Sequence, residues 1–193
     1  MTDIKKIRIE AIHLDQDDPK KCTAKKLERR GLIRCKTRIS SAAKRGILLD
    51  PLSQTLLSPS DLNLMVDGSL VALDCSWKRI HESIRIISKT TRLESRILPI
   101  LLAGNPVSWG KRGRLSTAEA LSASLYIVGC KDQAISLLTP FKFGDAFLDL
   151  NKELLEAYSS CNSQTEVEEM QWEFFDRPSS DICSWGYISI WPK

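Results

Sequence analysis

Residues 69–77 read Ser-Leu-Val-Ala-Leu-Asp-Cys-Ser-Trp, SLVALDCSW. Ser69 to Asp74 is almost wholly apolar and short, which suits a strand covered on both faces. It stops at a polar turn, Asp74-Cys75-Ser76-Trp77. Upstream, Ile7 to Leu14 alternates apolar and polar residues and predicts a strand broken by Asp18-Pro19. The segment CTAKKLERRG predicts a helix ending at Gly31. Leu32 to Lys36 and Ile47 to Leu49 predict two more short strands, the second stopped by Asp50-Pro51. Ser58-Pro59 opens a helix, with the serine as N-cap and the proline at the first helical position. Downstream, Trp77 to Ser88 predicts a helix with Ile80, Ile84 and Ile87 on one side, and Arg96 to Ala103 a last buried strand.

Strands separated by helices require crossover connections, so the fold class is α/β with a mostly parallel sheet. Ligands in such sheets bind beyond the carboxyl ends of the strands. Here the chain leaves those ends through Asp50-Pro51, Asp74-Cys75-Ser76-Trp77 and Gly104-Asn105-Pro106, three polar exits on one rim. The second half is helical. Ser116-Thr117-Ala118-Glu119 is a capping box opening a helix to about Gly129. Asp132 to Leu138 predicts a short helix, and Phe143 to Tyr158 one amphipathic helix. The last stretch, rich in Trp, Phe and Tyr, has no clear period. The division is residues 1–97, an α/β part with the basic segment, and 98–193, a mainly helical part.

The 193 residues are 42% hydrophobic, which supports a packed interior and argues against disorder. No apolar run approaches the ~20 residues of a membrane span. The start, MTDIKKIRIE, mixes charges among apolar residues and is not a secretory signal, so a cytoplasmic protein is expected. None of the six cysteines lies within four residues of another, a spacing that argues against zinc or iron–sulfur ligation, so no metal is expected. Charge is uneven. Lys20 to Arg45 carries eleven basic residues against the single acid Glu28, while the last forty residues are acidic. Such a segment fits a polyanion such as nucleic acid, or else a solvated basic face.

No phosphate-cradling glycine motif is present. Two histidines, His13 and His81, are too few for a multi-histidine metal site, and both are read as structural. Asp74 places a carboxylate on the ligand rim. Trp77 offers a flat surface for a purine or a cation. The competing reading has Asp74 or Ser76 capping the next helix and Trp77 in the core. Leu98 to Thr117 is a long Gly-containing connection with backbone groups able to hold a ligand edge. The helix starts at Ser116-Thr117 and at Thr23 offer amides to an anion.

The segments KKCTAKKL, GILLDPLSQTLLSP, ALDCSW, LPILLAGNPVSWGKRGRLSTAEALSASLYIVG and FKFGDAFLDLNKELLEAY follow in order over about Ile7 to Tyr158. Together they resemble the small-subunit ribosomal-RNA aminocarboxypropyltransferases of archaea and eukaryotes. Because the chain ends soon after the last motif, it looks like an archaeal member; eukaryotic members carry long tails. The resemblance implies a SPOUT-like fold with a deep trefoil knot, a monomer, and S-adenosylmethionine as donor. The implied reaction moves the 3-amino-3-carboxypropyl (acp) group to N3 of a modified pseudouridine in small-subunit rRNA.

Carried over motif by motif, Leu49, Pro51 and Trp77 would line the adenine pocket. Leu98 would meet the adenine edge through its backbone, with Gly113, Leu115 and Ala120 beside it. The Leu73 backbone would hold the ribose. Thr23, Ser116 and Thr117 would fix the amino acid carboxylate. Asp74 would lie at the reacting centre as candidate base, with water or late proton loss as the alternatives. Lys20, Lys21, Lys25, Lys26, Arg29, Arg30, Arg112 and Arg114 would hold the RNA backbone. The loop reads Asn105-Pro106-Val107-Ser108-Trp109 where the family pattern has Asn then Tyr in the last two places. Two other functions compete: a SPOUT-like rRNA methyltransferase, and a non-catalytic rRNA-binding assembly factor.

Overall fold

A computed structural model of the chain describes residues 6–13, 22–74 and 80–177. Five strands, β1 (Ile9–His13), β2 (Arg34–Lys36), β3 (Arg45–Leu49), β4 (Leu70–Asp74) and β5 (Arg92–Arg96), form one sheet in the order β2-β1-β4-β3-β5. Every neighbouring pair is parallel, as the alternation of strands and helices required. The SLVALD stretch becomes β4, held between β1 and β3.

Alternate residues of the central strands serve two cores. Ile9, Ala11, Ile47, Leu70 and Ala72 face the larger one, which continues into the helices of the second half. Ile12, Leu48 and Val71 face a smaller one with Ala42 and Ile87. Burial on both faces explains the unbroken apolar run of β4.

The helices are α1 (Thr23–Arg29), α2 (Leu62–Asp67), α3 (Ile80–Thr90), α4 (Thr117–Ile127), α5 (Lys131–Leu138), α6 (Gly144–Leu150), α7 (Lys152–Ser160) and α8 (Gln164–Phe174). Helix α2 is entered through a 3-10 turn, Pro59–Asp61, and the Ser58 amide donates to Asp61 Oδ2 at 3.1 Å. The expected helix ending at Gly31 is α1, and that glycine takes the left-handed conformation, φ 69. Among the described residues no helix is long and apolar enough to cross a membrane.

Three sequence expectations are corrected. Arg96 to Ala103 is not the last strand: β5 lies just before it, at Arg92–Arg96. This RLESR edge strand is polar, so its hydrophobic pattern is weak. The apolar segment after it is largely buried, and its backbone bonds are divided between side chains and the backbone of Thr55, Leu57 and the 110–113 turn. Ile100 N–H donates to Gln171 Oε1 at 3.4 Å, and Ile100 C=O accepts from the Tyr158 hydroxyl at 3.0 Å. Leu102 exchanges bonds of 2.7 and 2.8 Å with the Asn151 amide group.

Second, Phe143 to Tyr158 is not one helix. It breaks at Asn151, which closes α6 and opens α7. The Asn151 side chain turns inward to serve Leu102, and also donates to Phe147 C=O at 2.9 Å. Third, the patternless tail contains α8, whose buried Val167 and Gln171 face the core. The remaining tail aromatics, Trp185, Tyr187 and Trp191, lie outside the described residues.

Asn151→Leu should cost about 2 kcal/mol of stability, because it removes the partners of the half-buried Leu102 N–H and C=O and leaves them facing a fully buried apolar side chain. Urea titration measures this; a change under about 0.5 kcal/mol would contradict the account.

Candidate functional site

The carboxyl ends of β1 and β4 lie side by side, with His13 in register with Asp74. Asp74 Oδ2 sits 2.9 Å from His13 Nδ1 and accepts from the Cys22 thiol at 2.9 Å. Cys22 is also the N-cap of α1, taking the Lys25 amide on Sγ at 3.4 Å. Burial, and then the Asp74 carboxylate, push this thiol up to about 11, so it stays protonated at neutral pH and donates. His13 is buried and the Asp74 side chain is 15% exposed. Two donors thus fix Oδ2, and Oδ1 has no hydrogen-bond partner among the described residues. The nitrogen, sulfur and oxygen atoms lie within 4.8 Å of one another. Zinc takes these ligand types, but here they already satisfy one another.

A second junction adjoins the first. Thr23, the first residue of α1, accepts the Ala118 amide on its hydroxyl at 3.2 Å, which ties the start of α1 to the start of α4. In the first turn of α4, Ser116 Oγ accepts from Glu119 N–H at 3.4 Å, and Glu119 Oε2 accepts from Ser116 N–H at 2.6 Å. The Thr117 amide is left without an acceptor among the described residues. It is a donor at a positive helix end.

The third element is the 98–115 connection. Leu98 is buried, yet neither its amide nor its carbonyl has a partner among the described residues. Ile97 on one side is fully bonded to Thr55 and Leu57. Buried backbone groups are nearly always paired, so Leu98 presents an edge suited to a ligand. Gly113, at φ 67, donates to Leu101 C=O at 2.8 Å and closes the loop. Leu49, Pro51, Leu73, Leu115 and Ala120 are half-buried. Trp77 lies outside the described residues, as do Cys75 and Ser76.

Of the basic residues, Lys20 and Lys21 also lie outside the described residues. Lys25 faces Glu28 at 3.6 Å. Lys26 Nζ stands 4.7 Å above the Phe141 ring, and Arg112 the same distance above Phe175. Arg29, Arg30 and Arg114 are exposed. The pairing of Lys26 and Arg112 with rings fixes their directions without neutralising them.

The sequence reads His13 as structural, Asn105 as part of a rim turn and Glu119 as a cap, and gives the Cys22 side chain no role. The rim rule that singled out Asp74 applies equally to His13 at the end of β1. Glu119 was seen only as a cap. Its buried carboxylate also takes the Gly104 amide at 2.7 Å and Asn105 Nδ2 at 2.8 Å, bracing the whole loop.

Residues 7–41 match a model described as a possible Fer4-like domain in RNase L inhibitor. An iron–sulfur cluster takes four thiolates, and this segment holds only Cys22 and Cys35. Both thiols are pushed up, to about 11 and about 12, chiefly by burial. Cys22 is committed to Asp74, and Cys35 donates to Ala24 C=O at 3.7 Å. The segment does not fit a cluster.

Residues 47–175 match the model of the ribosome biogenesis protein C-terminal region. The chain is 43% identical to the 16S rRNA aminocarboxypropyltransferase of Methanothermobacter thermautotrophicus over 168 residues, 87% of this chain and 98% of that protein. The enzyme of the same name from Methanosarcina mazei is 43% identical over 82% of this chain and 90% of its own. Among solved structures, the SAM-dependent rRNA:acp-transferase Tsr3 from Vulcanisaeta distributa superposes with a TM-score of 0.74. It is 39% identical, with 84% of this chain and 88% of that chain covered. Likeness of this extent, over nearly the whole length of those relatives, means that the chain belongs to the family of 16S rRNA aminocarboxypropyltransferases.

Proposed function

We propose that this chain transfers the acp group of S-adenosylmethionine to small-subunit rRNA, releasing 5′-methylthioadenosine. The observation that supports the reading is three groups toward the carboxyl ends of the strands that have no partner among the described residues: the Leu98 backbone, the Thr117 amide and Asp74 Oδ1. They match, in kind, an adenine edge, an amino acid carboxylate and a cationic reacting centre. S-adenosylmethionine supplies an electrophilic propyl carbon bound to a sulfonium.

The protein's task is selection among three such carbons, of which the methyl is the least hindered. Leu98, with Leu49, Pro51, Gly113, Leu115 and Ala120, holds the adenine, and the Leu73 backbone holds the ribose. The Thr117 amide, with the hydroxyls of Ser116 and Thr23, grips the carboxylate of the amino acid arm; the Ser116 amide expected to help is taken by Glu119 Oε2. Trp77 covers the methyl. Held at both ends, the donor presents only its propyl carbon. Alignment of this kind can lower a barrier by up to ~7–11 kcal/mol, enough to reverse an intrinsic preference. The acceptor is N3 of a pseudouridine: the N–C bond forms as the C–S bond breaks, sulfur keeps the electron pair, and Asp74 takes the N3 proton.

The finer features follow the same reading. Residues 1–97 supply the RNA-facing part and 98–193 complete the donor pocket, in a SPOUT-like, knotted, monomeric and cytoplasmic protein. Lys25, Lys26, Arg29, Arg30, Arg112 and Arg114, with Lys20 and Lys21, track the RNA phosphates. Affinity for the target hairpin should fall linearly on a log–log salt plot, by ~0.7–0.9 per phosphate contacted. A salt-independent affinity would remove this surface from RNA binding.

The deciding experiment incubates the protein with unmodified rRNA and S-adenosylmethionine labelled separately in the carboxyl carbon and in the methyl. Carboxyl label and the acp mass in the RNA are expected. Methyl label alone would make the chain a methyltransferase. Absence of both, with no calorimetric binding of S-adenosylmethionine, would make it a non-catalytic assembly factor.

A further inference from the structure

The chain between Leu101 and Gly113 folds back on itself. Gly113 N–H donates to Leu101 C=O at 2.8 Å, Ala103 N–H to Lys111 C=O at 3.0 Å, and Gly110 N–H to Ala103 C=O at 2.7 Å. Leu102 and Arg112 form an antiparallel bridge. At the turn, the Ser108 amide donates to Asn105 Oδ1 at 3.1 Å. Asn105 is itself buried and pinned by Glu119 Oε2 and Arg114 C=O. The base of this hairpin is therefore braced against the core, while its tip projects.

That tip carries two large apolar side chains in solvent: Val107 is 85% exposed and Trp109 57% exposed. An exposed tryptophan on a braced turn holds its ring at little further entropic cost on binding. Its neighbours Lys111, Arg112 and Arg114 are exposed cations. No carboxylate occurs between Leu98 and Ala118. A flat ring set among cations is complementary to a stacked base with phosphates on either side. The hairpin rises from Gly113 and Leu115, which the proposed donor pocket uses.

We propose that Trp109 is a stacking platform for an unpaired nucleobase of the RNA substrate, close to the nucleotide that receives the acp group. This rests on the reading of the chain as an rRNA-modifying enzyme. In a structured RNA the acceptor must leave its stack before N3 becomes accessible, and unstacked neighbours need a new surface. Trp109 supplies it, and Arg112 and Arg114 hold the adjoining phosphates.

The test uses the full chain and the target rRNA hairpin, with 2-aminopurine placed in turn at each unpaired position. Wild type should quench one position strongly on binding. Trp109→Ala should abolish that quench and weaken RNA binding by ~5- to 150-fold, leaving S-adenosylmethionine affinity within about twofold of wild type. Trp109→Phe should retain most of both signals. No quench at any unpaired position with wild type would overturn the proposal, whatever the variants do. So would a Trp109→Ala protein that quenches and binds RNA as wild type does. If wild type transfers acp but Trp109 proves silent, only the stacking site falls. If the quench depends on Trp109 but no acp reaches the RNA, the stacking site stands and the reaction assignment falls.

Discussion

Asp74→Ala should slow single-turnover acp transfer by about 10²–10⁴-fold while leaving S-adenosylmethionine binding within a few-fold of wild type. The expectation follows from how the carboxylate is held. His13 Nδ1 and the Cys22 thiol both meet Oδ2 at 2.9 Å, which fixes the rotamer, and Oδ1 has no partner among the described residues. On the proposed reading, a carboxylate so placed takes the N3 proton without reorganisation when the C–S bond breaks. The Cys22 thiol, raised to about 11, remains a donor across the working pH range and does not compete for the proton. Quench-flow with labelled donor under saturating RNA measures the rate. A rate equal to wild type, with donor still bound, would exclude Asp74 as the base and leave water or late proton loss.

Glu119→Ala should lower unfolding stability by about 4 kcal/mol, a large share of the ~5–15 kcal/mol typical of a folded domain. The carboxylate is fully buried and receives Gly104 N–H at 2.7 Å, Asn105 Nδ2 at 2.8 Å and Ser116 N–H at 2.6 Å. Charge-assisted bonds of this length are the strong ones. Truncation strands two buried donors, Gly104 N–H and Asn105 Nδ2, and the half-buried Ser116 N–H, and leaves a void. It also releases the 98–115 connection, so donor affinity should fall with stability. Glu119→Gln keeps the shape but turns one acceptor into a donor facing another donor, and should lose about half as much. Denaturant midpoints for both variants decide the matter. A loss below about 1 kcal/mol for the alanine variant would show that water or another side chain takes over the three donors.

Much of the framework was legible in the linear chain because its signals are local. The six-residue run at Ser69–Asp74 is a parallel, doubly covered strand. Gly31 ends α1, and the Ser116–Glu119 capping box opens α4, because caps and turns depend on residues a few positions apart. Less legible were elements whose pattern is set by distant partners. The edge strand β5 is polar because one side meets solvent. The apolar 98–103 stretch imitates a strand because it is buried, yet the side chains of Asn151, Tyr158 and Gln171 and the backbone of the 110–113 turn take the place of a neighbouring strand. Asn151 breaks a smooth amphipathic pattern because its amide is needed by Leu102.

By itself the sequence determined the α/β class, the basic segment and the ordered motifs of an aminocarboxypropyltransferase. Only the tertiary structure decided that His13 and Cys22, sixty-one and fifty-two residues from Asp74, close on one carboxylate oxygen. It alone left the Leu98 backbone without a partner among the described residues and set Trp109 on a braced hairpin. The physical reason is range. Periodicity and capping act over one or two turns of chain, whereas the meeting of β1, α1 and β4 follows from a strand order that inserts β4 between β1 and β3.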